Sequence, residues 1–270
     1  MKIAIVTGAS SGMGRQFVLQ LSRYVQVDEI WAIARRTEQL EALKNQCSVP
    51  VRPVTLDLCK DEAFERYAAL LQQEQPQVQL LVNAAGFGKF GSHKRIPLAD
   101  ELRMIDLNCK ALVAMTRLTL PYMPKGSHIL HLDSLSAFQP VPYITTHGAT
   151  KSFVLSYSRA MNRELKADGV RMMCLNPGWV KTEFFDHAFQ TNTCEVQYYD
   201  RLYEADLVVA DGLKALYKTR KDYCVPGFFT RMQVRLVKLL PHSMVMDTWL
   251  SQQKKAKNHD TLIEGTRKDK

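Results

Sequence analysis

Met1-Lys2-Ile3-Ala4-Ile5-Val6 runs directly into Thr7-Gly8-Ala9-Ser10-Ser11-Gly12-Met13-Gly14, and this stretch decides the fold. A short apolar run with β-branched residues, followed by glycines spaced Gly-x-x-x-Gly-x-Gly, reads as a strand, a tight turn and a helix start. Gly8 permits the turn, Gly12 lets backbone approach a pyrophosphate, and Gly14 permits close packing of helix on strand. The helix N-terminus then offers unpaired N–H groups and a positive dipole to phosphates. Glycines alone say little. At the end of the first strand of a βαβ unit, with Thr7, Ser10, Ser11 and Met13 in the same loop, they point to a bound nucleotide.

The pattern continues along the chain. Ile3–Val6, Ile30–Ala34, Val51–Leu56, Gln79–Val82, Ile129–Leu132 and Val170–Leu175 are short apolar runs of the kind that form buried parallel strands. Segments with helical spacing separate them: Phe17, Leu21 and Tyr24 mark one, Leu40 and Leu43 a second with Thr37 as N-cap, and Phe64, Tyr67, Leu70 and Leu71 a third. Strand and helix alternating six times predict an α/β fold, a Rossmann-type doubly wound parallel sheet in one domain over residues 1–250. After Pro177-Gly178 the alternation breaks. Residues 183–222 read as a mostly helical substrate-covering region, Tyr223–Val225 as a last strand, and 228–253 as two amphipathic helices hinged at Pro241. From Ser251 the chain is polar, and residues 254–270 read as a frayed basic tail.

Composition narrows the class. A hydrophobic fraction of 46% and a charged fraction of 23% over 270 residues are those of a globular domain with a sizeable core. The six cysteines (Cys47, Cys59, Cys109, Cys174, Cys194 and Cys224) have neither disulfide nor zinc spacing, so they read as reduced thiols, with no metal expected. With no targeting segment and no apolar run of spanning length, the expected location is cytoplasmic. The net charge of +9 is spread along the chain, enriched near Arg231, Arg235 and Lys238 and in the tail. It reads as a solvated basic surface plus a polyanionic cofactor site, not as a nucleic-acid interface.

Ala34-Arg35-Arg36 ends the second strand, where an NAD-binding crevice places an acid for the adenosine 2′-hydroxyl. Two guanidiniums suit a 2′-phosphate instead, so NADP(H) is the expected cofactor. Asp57-Leu58 ends the third strand and Asn83-Ala84-Ala85-Gly86 the fourth, along the carboxyl edge where open α/β sheets bind ligands.

With Asn108, Ser134, Lys151 and Asn176-Pro177-Gly178 in order behind them, these residues resemble the short-chain dehydrogenase/reductase family over about residues 1–182. The resemblance implies hydride transfer between a nicotinamide and a carbonyl or alcohol carbon. It implies that Ser134 hydrogen-bonds the substrate oxygen and that Lys151 holds the nicotinamide ribose. It further implies that Asn108 anchors a water-linked proton relay, and that Pro177, Gly178, Val180 and Thr182 bind the nicotinamide end. The helices over Leu107–Leu120 and Phe153–Leu165 resemble those this family uses for dimer contacts, so a homo-oligomer is expected.

The departure is His147, which stands at the family's tyrosine position, 13 residues after Ser134 and four before Lys151. Free tyrosine has a pKa of about 10 and histidine of about 6.5, so a neighbouring lysine charge favours neutral imidazole. Neutral imidazole is a competent base for alcohol oxidation and a poor acid for carbonyl reduction. Weak or altered turnover is one expectation; a cofactor-binding sensor that has lost catalysis is the other. Tyr143 is a second phenol nearby, but Pro142 before it points to a helix only beginning there, and a substrate-loop aromatic is the preferred reading.

Phe87, Phe90, Trp179, Phe184 and Phe185, with Val141 and Tyr143, predict an apolar cleft for a hydrophobic ketone or alcohol; His93 and His187 read as surface residues. The basic, apolar helix pair over Phe228–Leu250 is expected to cover that cleft or a subunit interface rather than to lie on a membrane.

Overall fold

The computed structural model describes residues 1–188, 195–198 and 201–268, with side chains as far as residue 256 apart from His187. Cys194 and the His187 side chain therefore lie outside the described residues. Seven strands form one sheet: β1 Lys2–Thr7, β2 Glu29–Ala34, β3 Val51–Thr55, β4 Gln77–Asn83, β5 His128–Leu132, β6 Arg171–Leu175 and, last in sequence, β9 Tyr223–Cys224. Their order is β3-β2-β1-β4-β5-β6-β9, and every neighbouring pair is parallel. The order reverses between β1 and β4, which makes the crevice outside their carboxyl ends the ligand site of such a sheet.

Alternation along the strands supplies two apolar faces. Ala4, Val6, Ile30, Ala32, Leu80 and Val82 face one side and pack against Phe17 and Val18 of α1 (Gly12–Gln20). Ile3, Ile5, Trp31, Ile33 and Leu81 face the other, against Tyr67 and Leu71 of α3 (Asp61–Glu74) and Met115 of α5 (Ala111–Thr119). Runs that read as continuously apolar are thus split between two layers of helices.

Four details differ from the sequence reading. Helix α2 (Thr37–Glu41) takes Arg36 as its N-cap; Thr37 is already helical, and its hydroxyl pairs with Thr55 at 2.9 Å. Trp179–Lys181 (β7) and Leu202–Glu204 (β8) pair as a separate parallel ribbon, each too short for periodicity to show. Helix α8 (Ala205–Lys218), read as part of the cover, buries Val208, Val209, Leu213 and Leu216 under the sheet beside α1, so it belongs to the layer. The cover is formed instead by α7 (Phe184–Ala188), α9 (Phe228–Val237) and α10 (His242–Lys268). The last of these runs far beyond Ser251, because Gln252-Gln253-Lys254-Lys255-Ala256 are all strong helix formers. Among the described residues, no helix is long and apolar enough to cross a membrane.

Candidate active site

The glycine loop is built to admit a diphosphate. Gly8 has φ +69° and Gly12 φ +50°. A Cβ on Gly8 would lie 2.8 Å from Ala84 O and from the Ala85 backbone, and one on Gly14 would run into the Gly8 carbonyl. Only glycine permits those approaches. Above the loop lies a crevice of about 510 Å³, walled by Ser10, Ser11, Arg35, Arg36, Asp57 and Leu58 and floored by Ala84, Ala85 and Gly86. A polar, cation-walled slot at a helix N-terminus fits a dinucleotide phosphate. Arg36 is held there by two contacts, its guanidinium lying 3.3 Å from the Ser10 hydroxyl and 3.0 Å from the Glu183 carboxylate. The Asp57 carboxylate accepts from Cys59 N–H at 3.2 Å.

Two residues expected on the crevice lie beneath it. Thr7 is buried, and its hydroxyl accepts from Ala84 and Ala85 N–H at 3.1 Å, which shapes the wall without lining it. Asn83 is buried and donates to Thr116 at 3.1 Å. Pro177, Gly178 and Val180 line the neighbouring apolar cleft instead of the crevice, whereas Met13 and Thr182 line both.

Ser134 ends the segment after β5. Its hydroxyl accepts from the Ser136 N–H at 3.2 Å and the Ser136 hydroxyl at 3.0 Å, which leaves its own proton for a ligand oxygen. Lys151, on α6 (Thr145–Glu164), is buried and donates to the Leu132 carbonyl at 2.8 Å. Burial lowers its pKa, and the Asp133 carboxylate opposes that. In the sequence Asp133 is one acid between Leu132 and Ser134, with nothing to mark it. It is buried, accepts from the Asn176 amide, and keeps one carboxylate oxygen with no hydrogen-bond partner. Burial pushes its pKa well above the usual carboxylate range, against the pull of the Lys151 charge.

His147 sits one turn before Lys151 and is buried. Its Nδ1 lies 3.3 Å from the Phe87 carbonyl, which can only accept, so Nδ1 carries the proton and Nε2 a lone pair. Burial, reinforced by the Lys151 charge, lowers its pKa to about 3. The ring is wedged between Phe90 and Phe184, with centroids 5.8 and 5.5 Å away. Gly88 makes the wedge possible, since a Cβ there would lie 2.7 Å from the Phe184 ring and 2.9 Å from His147 Nδ1. Sequence reading missed Gly88, although Gly86-Phe87-Gly88 was visible as a glycine pair.

Asn108 lies in a π-helical stretch, Asp106–Lys110, between α4 (Leu98–Ile105) and α5. Its side chain accepts from Phe87 N–H at 3.1 Å and donates to Phe87 O at 3.0 Å and to Thr150 at 3.0 Å. Thr150 in turn donates to the His147 carbonyl at 2.7 Å. Asn108 therefore fixes the carbonyl that fixes His147. Tyr143 is not part of this group: it precedes α6 with φ +66° and packs among Phe90, Val141 and Ile144.

A cleft of about 160 Å³ opens beside His147, lined by Phe87, Phe90, Val141, Trp179, Phe184 and Phe185 among others. It shares Met13, Ala84, Gly86, Phe87, Leu132, Thr182 and Phe184 with the crevice, so the two cavities meet along those residues, while Lys151 and His147 line the cleft side. Trp249 of α10 closes its far side, stacked on Trp179 at 6.4 Å and donating to Pro142 O at 3.0 Å. Tyr143 does not line it, and His93 is exposed.

Such a sheet, with a diphosphate loop at its switch point and a second cavity opening from the same edge, defines a dinucleotide-binding α/β protein. The short chain dehydrogenase family profile matches residues 2–193, and the chain belongs to that family. An uncharacterized oxidoreductase of Myxococcus xanthus is 34% identical over 187 residues, 67% of this chain and 73% of that protein. The NADP-dependent 3-hydroxy acid dehydrogenase of Escherichia coli K12 is 34% identical over 197 residues, 70% of this chain and 77% of that one. A short-chain dehydrogenase from Sphingobium yanoikuyae in complex with NADPH shares the fold, with TM-score 0.74 at 24% identity over 87% of this chain and 92% of that one.

Proposed function

We propose that this oxidoreductase is NADP(H)-dependent and acts on the alcohol or carbonyl carbon of an apolar small molecule, with the neutral His147 ring beside the reacting oxygen. One observation supports the role given to His147: its Nδ1 lies 3.3 Å from the Phe87 carbonyl, an acceptor, which favours the tautomer with the proton on Nδ1 and the lone pair on Nε2. The nicotinamide, when bound, takes or gives the hydride. Gly8, Ser10, Ser11, Gly12, Met13 and Gly14 hold its diphosphate; Arg35 and Arg36 hold the 2′-phosphate; Asp57, Leu58, Ala84, Ala85 and Gly86 line the adenosine side. Ser134 donates to the substrate oxygen, His147 Nε2 receives its proton, and burial, reinforced by the Lys151 charge, keeps the resting imidazole neutral. Asn108 is a positioning residue acting through Phe87. The NADP-dependent Escherichia coli relative and the NADPH complex support the cofactor choice.

The apolar cleft supports a hydrophobic substrate. Exposed Leu98, Leu102 and Ile105 on α4 and Phe153 on α6 support a homo-oligomer paired through those helices. The second reading, an NADP(H) sensor, draws on the same histidine, because a pKa near 3 removes the acid. The test is a panel of apolar alcohols and ketones followed by NADPH fluorescence. Alcohol oxidation abolished by His147→Ala supports the enzyme. Tight NADPH binding with no turnover in either direction, rescued by His147→Tyr, supports the sensor.

A further inference from the structure

Helix α9 rests on the fold by one narrow stripe, Thr230, Val234 and Val237. The remainder faces outward. Phe228 is 64% exposed, Met232 48%, Leu236 57% and Leu239, in the turn that follows, 82%. At about 100° per residue, these four gather on one side of the helix, roughly opposite the buried stripe. Phe229 extends that side. Arg231, Arg235 and Lys238 form a separate exposed strip between the apolar side and the fold; the Lys238 ammonium turns back onto the Tyr223 hydroxyl at 2.9 Å and Arg231 donates to Val225 O at 3.5 Å. On the far edge the Arg201 guanidinium lies 3.7 Å over the Phe229 ring. Met244, at the start of α10, continues the apolar surface.

The sequence reading had this helix covering the cleft or a subunit interface. It does cover the cleft, through Gln233, Val234 and Val237, but with its other side. A clustered apolar face bordered by cations is the arrangement of a helix lying in a lipid interface, where rings and aliphatic chains enter the acyl boundary and guanidiniums meet phosphates. We propose that α9 docks the protein onto an anionic lipid surface. Charge decides between occupants. A two-fold pairing of this face would bring two cationic strips onto one interface, whereas an anionic bilayer offers phosphates to Arg235 and Arg201 at its two edges and to Arg231 beside them. An apolar cleft walled by the same helix would then draw its ligand from the phase in which apolar molecules concentrate.

The test sediments the full chain with vesicles of phosphatidylcholine alone and of phosphatidylcholine with phosphatidylglycerol. The chain is expected to pellet with the anionic vesicles and to be released by salt. Phe228→Ser/Met232→Ser and, separately, Arg231→Glu/Arg235→Glu should each lower the partition coefficient by about tenfold or more. All four positions are exposed; circular dichroism and melting verify the fold of each variant, and the milder Met232→Gln stands in for any that fails. Absence of pelleting, equal binding to both vesicle types, or binding untouched by both variants overturns the proposal. So does a wild-type dimer that ignores vesicles and is split by Phe228→Ser/Met232→Ser, which would give the face to a second copy. None of these readouts depends on turnover, so the proposal stands or falls apart from the assigned reaction.

Discussion

Carbonyl reduction by this chain should depend on pH in a way set by one hydrogen bond. With its pKa lowered to about 3, His147 is imidazolium in only about one molecule in ten thousand at pH 7, four units above that value. Reduction that uses it as the acid should therefore rise about tenfold for each unit that pH falls below 7. Oxidation should not change over the same range on its account, because the Nε2 lone pair is present throughout. The perturbation is His147→Tyr. A phenol beside Lys151 restores a group that keeps its proton at neutral pH, and a positioned acid is typically worth on the order of 10²–10⁴ in rate. The assay is initial-rate NADPH oxidation with an apolar ketone and NADP reduction with the matching alcohol, from mildly acid to neutral pH, on wild type, His147→Tyr and His147→Ala. The expected pattern is a large gain in reduction for the tyrosine variant, with the steep pH dependence abolished. Wild-type reduction that is flat with pH and unharmed by His147→Ala would refute the assignment of any proton to this imidazole.

Acid stability follows from the same burial. His147 and His131 are both lowered to about 3 from 6.5, so the unfolded chain binds more protons than the folded one between those values. Stability is thus full above pH 6.5 and is lost as pH falls towards 3. At about pH 5 each histidine should cost about 2 kcal/mol, and denaturant melts of His147→Gln should show the smaller acid loss. Asp133 raises the Lys151 pKa, so Asp133→Asn should shift the alkaline limb of kcat/KM to lower pH; an unmoved limb would separate the two groups. The Arg36–Glu183 pair is half exposed and worth at most about 1 kcal/mol. If it competes with a 2′-phosphate, Glu183→Gln should tighten NADPH by up to about fivefold in a fluorescence titration and leave NADH alone. Weaker NADPH binding would show that Glu183 supports the site instead.

The sheet was legible because its strands are apolar, short and separated by helical spacing, and because one glycine loop fixes its first crossover. Each expected strand has its counterpart in the structure, shifted by no more than two residues at either end. What escaped was encoded over distance. The β7–β8 ribbon joins two three-residue segments about twenty residues apart, and neither is long enough to announce a period. Helix α8 looked like cover because it follows the break at Pro177-Gly178. Its apolar stripe is in fact matched to Phe17 and Val18 of α1, and a stripe does not state which surface it will meet. Asp133 read as an ordinary acid after a strand; its meaning comes from Lys151, eighteen residues on and a strand–helix packing away.

The same distinction governs the residue on which the chemistry turns. That position 147 holds histidine is a fact of sequence, and so is the consequence that a lysine one turn away favours the neutral ring. Which nitrogen keeps the proton is biased by the Phe87 carbonyl, sixty residues earlier in the chain. Asn108 clamps that carbonyl from a π-turn in another helix. Gly88 is bare enough to let the ring approach. Remove any of the three and the imidazole is free to choose the other tautomer, presenting a donor to the cleft where it now presents an acceptor. The role proposed for His147 therefore depends on the loop after β4 as much as on the histidine itself, and substitutions at Gly88 or Asn108 should alter it without touching the ring.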